Sequence, residues 1–155
     1  MSAPASGAPR TAYFDTAYIL KCYLPEPDSA GVRAFASTVG QLVTSELARA
    51  EFAAALHRKV REQWCTAEEA QACADQFAED ARVGVWEFVP CADPVWRRVA
   101  DVYRALPPTV WLRSADAVHL ASAVLAGESL VYSNDRQMAA AADAFGVTVH
   151  SLASA

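Results

Sequence analysis

Lysine is almost missing from this sequence: Lys21 and Lys59 are the only two. A receiver-type phosphoacceptor domain gathers acids at strand ends but also needs a lysine at the end of a late strand. Both lysines here fall in stretches that read as helices, so that class fits poorly. Glycine is scarce as well, six residues in all, and no G-x-G-x-x-G occurs, which removes the dinucleotide fingerprint. A haloacid-dehalogenase-type phosphatase needs a second Asp two residues after its nucleophile, and after Asp15 that place holds Ala17. The four cysteines, Cys22, Cys65, Cys73 and Cys91, form no C-x-x-C pair and fit no zinc ribbon. They read as the buried thiols of a cytoplasmic protein. No basic segment leads into an apolar stretch at the start, so no signal peptide is expected. Charges interrupt the apolar runs too often for a membrane span. Positive charge is short overall, leaving a net −5. A protein relying on non-specific phosphate contacts is normally basic. Any nucleic-acid contact must therefore come from a local patch or from bound metal.

What the chain does have is a core. Its 155 residues are 54% apolar and 20% charged, enough for one domain and too few for two ordinary ones. Residues 1–10, rich in Ala, Pro, Ser and Gly, read as a flexible N-terminal tail, and 11–155 as a single domain. Thr11 to Phe14 is a short β-favouring run, followed by a helix from Ala17 to Leu24 that Pro25 stops. Ser29 to Ser37 reads as a helix and Leu42-Val43 as a brief strand. Thr44 or Ser45 is suited to cap a helix running through Leu47, Phe52 and Leu56 towards Arg61. Thr66 and Glu69 have capping-box spacing for a helix to about Arg82. Val85 to Val89 is a strand, and Asp93-Pro94 opens a helix that ends before Pro107-Pro108. Ser114 is the expected cap of a helix from Ala115 to Ala126, which Gly127 ends. Leu130 to Ser133, Arg136 to Phe145 and Val147 to His150 read as strand, helix and strand. There is no internal repeat. This alternation predicts an α/β fold with a short-stranded parallel sheet flanked by helices on both faces. In such sheets ligands gather beyond the carboxyl ends of the strands.

Four carboxylates meet that rule. Asp15 directly follows one strand, and Asp135 comes two residues after another, so both are expected on the same rim. Asp116 lies in the first turn of a helix. Glu51 falls at i+3 of a core-facing stripe formed by Ala48, Phe52 and Ala55. A carboxylate entering an apolar face is costly unless it is paired or binds metal. Each acid also has a plain explanation. Asp15 and Asp135 suit helix N-caps, Asp116 suits a helix dipole, and Glu51 can snorkel to solvent. Together they would repel and raise one another's pKa without a cation. Hard oxygen ligands are what Mg²⁺ or Mn²⁺ prefers. Arg113 and Arg136 lie near these acids in sequence and are candidates either to pair with them or to contact phosphate. His119, at i+3 from Asp116, is open to reading as a ligand, though a packed histidine is the commoner case. Trp64, Trp86, Trp96 and Trp111 are more often core or interface than base-stacking platforms. Arg49, His57-Arg58-Lys59 and Arg61 read as a solvated helix face or as the local basic patch that the net charge demands.

Four blocks, in order, carry a resemblance: Tyr13-Phe14-Asp15-Thr16-Ala17, Thr44-Ser45-Glu46-Leu47-Ala48-Arg49-Ala50-Glu51-Phe52, Leu112-Arg113-Ser114-Ala115-Asp116-Ala117-Val118-His119-Leu120-Ala121, and Val131-Tyr132-Ser133-Asn134-Asp135-Arg136. With these spacings the chain resembles the PIN-domain ribonucleases, specifically the VapC toxins of type II toxin–antitoxin pairs. The resemblance implies a PIN-like α/β/α sandwich, Mg²⁺- or Mn²⁺-dependent endoribonuclease activity on RNA, a homodimer, and a small cognate antitoxin. It carries over Asp15, Glu51, Asp116 and Asp135 as the catalytic and metal-holding acids. Ser133 matches a supporting hydroxyl position, with Thr16 and Asn134 as further candidates behind the ligands. Some members have another acid shortly after the last Asp; this chain has Asn134 and Gln137. Glu46 is the rival of Glu51. The alternative expectation is a catalytically degenerate PIN domain that only binds RNA or a protein partner.

Overall fold

The structure, a computed structural model, describes residues 10–153. The tail expected over 1–10 therefore lies, apart from Arg10, outside the described residues. Arg10 is anchored: its carbonyl accepts from the amide of Gly40 at 2.8 Å. Five parallel strands, β1 (Thr11–Phe14), β2 (Gln41–Ser45), β3 (Trp86–Val89), β4 (Leu130–Tyr132) and β5 (Thr148–His150), form one sheet in the order β3-β2-β1-β4-β5. The helices are α1 (Thr16–Tyr23), α2 (Ser29–Ala36), α3 (Ala48–Arg61), α4 (Ala67–Arg82), α5 (Asp93–Ala105), α6 (Ser114–Leu125) and α7 (Arg136–Phe145). This is the expected α/β/α sandwich. Among the described residues no helix is long and apolar enough to cross a membrane.

The two-residue period of β1 divides the core. Ala12 and Phe14 face one layer, built on α1 to α4, while Tyr13 faces the other, built on α5 to α7. The first layer is strongly aromatic. Phe52 packs on Phe77 with ring centroids 4.3 Å apart and meets the edge of Tyr23. Phe52→Ala is expected to lower unfolding free energy by about 3–5 kcal/mol, measured by urea denaturation. A change under 1 kcal/mol would deny Phe52 its place at the centre of this layer.

Helix ends follow local chemistry. Thr66 and Glu69 make the full capping box of α4, and Gly146, at φ 80°, closes α7 in a left-handed turn. Two expected caps are corrected. Thr44 and Ser45 belong to β2; the Thr44 hydroxyl donates to the carbonyl of Phe14, and α3 starts three residues later at Ala48. Ser114 is the first residue of α6, whose N-cap is Arg113, and no side chain caps the helix there. The four cysteines are free and half-buried.

β1 is central, and the chain leaves it for β2 on one side and reaches β4 on the other. That reversal opens a crevice beyond the carboxyl ends of β1 and β4. The element order alone thus places Asp15 and Asp135 side by side.

Candidate functional site

A cleft of about 510 Å³ lies at this switch point. Asp15, Glu51, Asp116 and Asp135 all line it, together with Thr16 and Asn134. Glu46 does not: it is exposed, and its carboxylate accepts from the backbone amide of Cys91 at 3.1 Å, tying β2 to the loop after β3. That bond is a structural tie between the two loops. Arg136 is exposed and lies outside the cleft lining, whereas Arg113 is part of it. Arg58 and Lys59, from the group open to reading as a local basic patch, also line the cleft, and so does Lys21, which carries no local sign of a site.

Asp15 and Asp135 turn out to be caps as well as cleft residues. Asp15 Oδ1 accepts from the amide of Tyr18 at 2.9 Å at the start of α1. Asp135 Oδ1 accepts from the amides of Gln137 and Met138 at the start of α7. In both cases Oδ1 makes the caps. Asp135 Oδ2 accepts from Arg113, and the Asp15 carboxylate also has the Ser133 hydroxyl beside it. The buried Ser133 hydroxyl accepts from the amide of Asp135, holding the strand-to-helix turn. Asn134 receives hydroxyl donors from Tyr18 and Ser151, each at 2.6 Å.

The acids are satisfied by cationic and polar side chains. The Arg113 guanidinium spans Asp116 at 2.8 Å and Asp135 at 2.7 Å. These carboxylates hold the guanidinium's proton more firmly than usual, through the Asp116 hydrogen bond first. Glu51 Oε2 is bonded to the Thr16 hydroxyl and to His119 Nε2, the latter at 2.7 Å, which leaves Oε1 without a donor. Burial pushes the Glu51 carboxyl up, but the hydrogen bonds from His119 and Thr16 bring it below its usual range. Asp15 shifts the other way. Burial raises its pKa, and the Ser133 hydroxyl, the Tyr18 amide and His119 offset that only in part.

Among the described residues, no three His, Cys, Asp or Glu side chains converge as a ready-made ligand set. The donor chemistry nevertheless suits a hard divalent cation. The four acids offer oxygen alone, Glu51 Oε1 is without a donor, and the cleft is open enough to retain waters. Arg113 now supplies the positive charge between Asp116 and Asp135. Arg113→Gln is expected to lower the stability of the metal-free protein modestly, by about 1 kcal/mol or less for so exposed a cation. It should also move the Mn²⁺ concentration needed for half-maximal stabilisation downward, because a competing cation is gone. Thermal melts across a Mn²⁺ series test this, and an upward shift would mean that Arg113 assists the cation.

Fold and site together define an α/β/α sandwich with an acidic cleft at its switch point. The profile of the PIN domain family matches residues 12–144, and the chain belongs to that family. No curated protein matches it in sequence. Among solved structures it is similar to VapBC2 from Rickettsia felis bound to a promoter DNA fragment, with TM-score 0.65 and 10% identity over 91% of this chain and 98% of that one. It is similar also to FitAcB from Neisseria gonorrhoeae, with TM-score 0.67 and 17% identity over 89% of this chain and 95% of that one. FitAB bound to an IR36 DNA fragment gives TM-score 0.67 and 16% identity over 93% and 96%. At these identities the likeness is one of fold.

Proposed function

We propose that this chain is a Mg²⁺- or Mn²⁺-dependent endoribonuclease acting as the toxin of a toxin–antitoxin pair. The observation that carries the reading is the meeting of Asp15, Glu51, Asp116 and Asp135 in one switch-point cleft. A bound divalent cation there would polarise a phosphate oxygen, activate water for in-line attack and stabilise the leaving oxygen, so that cleavage leaves a 5′-phosphate. Glu51 would hold it through its donor-free Oε1, Asp15 through the carboxylate oxygen that its cap leaves over, and Asp116 and Asp135 after Arg113 lets go. Arg113, once released, and Arg58 line the cleft where the RNA phosphates would run, with Lys59 beside them in an ion pair with Glu26. Thr16 holds Glu51, and Ser133 holds the turn that carries Asp135. The cation and these basic residues are how a chain of charge −5 would hold a polyanion. Homodimerisation and a small antitoxin partner belong to the same proposal; the similar solved structures from the Fit and Vap systems support it by fold.

The second reading, a PIN domain that binds RNA or a protein without cutting, is favoured by one observation. Arg113 is bonded across two of the acids. One experiment separates the readings. The purified protein is incubated with RNA in Mn²⁺ and in EDTA. Cleavage that appears with Mn²⁺ and stops with EDTA supports the enzyme, and RNA left intact in both supports the binding module.

A further inference from the structure

In sequence His119 is open to reading as a ligand or as a packed histidine on the apolar helix α6. In the fold it is 2% exposed and both ring nitrogens are engaged. Nδ1 lies 2.9 Å from the hydroxyl of Tyr13, a fully buried residue of the central strand. Nε2 lies 2.7 Å from Glu51 Oε2 and 3.2 Å from the Thr16 hydroxyl. One turn further along α6, the fully buried Ser122 hydroxyl has no other partner and lies beside the Tyr13 phenol. A polar chain thus runs from the sheet interior, through Tyr13 and His119, to a carboxylate on the cleft wall. Buried polar groups are expensive unless each is satisfied, and a fully connected set fixes geometry. A core this apolar has no packing need for a phenol and an imidazole joined in series. Phe and Leu would fill the same space without the desolvation cost.

We propose that Tyr13 and His119 are positioning residues for Glu51. The Tyr13 hydroxyl donates to His119 Nδ1, which makes Nε2 the atom that carries the ring proton. Nε2–H then donates to Glu51 Oε2 and, with Thr16, pins that oxygen, so that Oε1 is the one left free for a cation. The orientation of a ligand side chain by a donor behind it is worth 10- to 100-fold in metal affinity in known sites. This inference rests on the reading of Glu51 as a metal-holding acid, but the tautomer it demands belongs to the protein alone.

Two measurements test it. The first is ¹⁵N NMR of the histidine rings in metal-free protein at pH 8, with the His119 signals assigned by their loss in His119→Gln. The expected result is a protonated Nε2 and a bare Nδ1. In Tyr13→Phe the donor to Nδ1 is gone, and a population protonated at Nδ1 is expected to appear. A wild-type ring protonated at Nδ1 overturns the proposal. The second is Mn²⁺ titration by calorimetry on folded wild type and variants. His119→Leu is expected to weaken binding by about 10- to 100-fold. His119→Gln, whose amide can donate to Glu51, is expected to stay within a few-fold of wild type. Equal affinity in wild type and His119→Leu overturns the proposal. If His119→Leu does not fold, a Tyr13→Phe affinity equal to wild type does so instead. No Mn²⁺ binding by the wild type would sink the nuclease reading and the metal half of this one, while the ring spectrum still decides the tautomer.

Discussion

Asp116→Asn is expected to lose Mn²⁺-dependent RNA cleavage by about 10²-fold or more, the scale seen when one group aimed at transition-state charge is removed. The change keeps side-chain volume and deletes one negative charge from the cleft. The fold should tolerate it, because Asp116 makes its hydrogen bonds to Arg113 alone and Arg113 keeps Asp135 as a partner. The matching control is Glu46→Gln. Glu46 stands outside the cleft and bonds a loop amide that a Gln carbonyl can also accept. Its cleavage rate should stay within a few-fold of wild type. Initial rates on one RNA at saturating Mn²⁺ measure both. If Glu46→Gln were the silent enzyme and Asp116→Asn the active one, the assignment of the acids would be wrong.

Asp15→Asn should separate metal from stability. Asparagine caps a helix as well as aspartate, so the bond to the Tyr18 amide survives the change. What disappears is a buried carboxylate whose folded pKa stands above its unfolded value, chiefly through burial. Between those two values the folded protein binds more protons than the unfolded chain. This group's contribution is therefore full at pH below the ordinary Asp value and is lost as pH rises through the folded value. Glu51 has the opposite sign: its lowered folded pKa gives stability above the ordinary Glu value that is lost as pH falls. In EDTA, Asp15→Asn is expected to match wild type at pH below the ordinary Asp value, to exceed it as pH rises through the folded value, and to hold that advantage above it. With Mn²⁺ the order reverses, because a cation stabilises only the protein able to bind it. Denaturant midpoints across pH, with and without Mn²⁺, check both halves. A variant less stable than wild type in EDTA at neutral pH would mean that the Asp15 charge is already compensated within the protein.

Much of this was open to inspection in the sequence, for identifiable reasons. Asp15 directly follows a short apolar strand and Asp135 comes shortly after another, and the rule for parallel sheets then sends both to one rim. Glu51 was marked by its place beside the stripe that buries Ala48 and Phe52. Thr44 and Ser45 were misleading because a polar residue before an apolar helix looks like a cap. Here both are buried in β2, and the Thr44 hydroxyl is satisfied across the sheet, 30 residues away in sequence. Arg113 and Arg136 looked alike as neighbours of acids, yet only Arg113 bridges Asp116 and Asp135, the second of them 22 positions on. His119 was least visible. Its partner Tyr13 is 106 residues away, and nothing local to either residue announces that they touch.

The central claim is that four acids from distant parts of the chain make one divalent-cation site. Its most direct test is calorimetric titration of Mn²⁺ into wild type and into Asp15→Asn, Glu51→Gln, Asp116→Asn, Asp135→Asn and Glu46→Gln, each shown to be folded. Weakened binding in the first four variants and wild-type binding in Glu46→Gln is the predicted result. Wild-type affinity in all of them would contradict it.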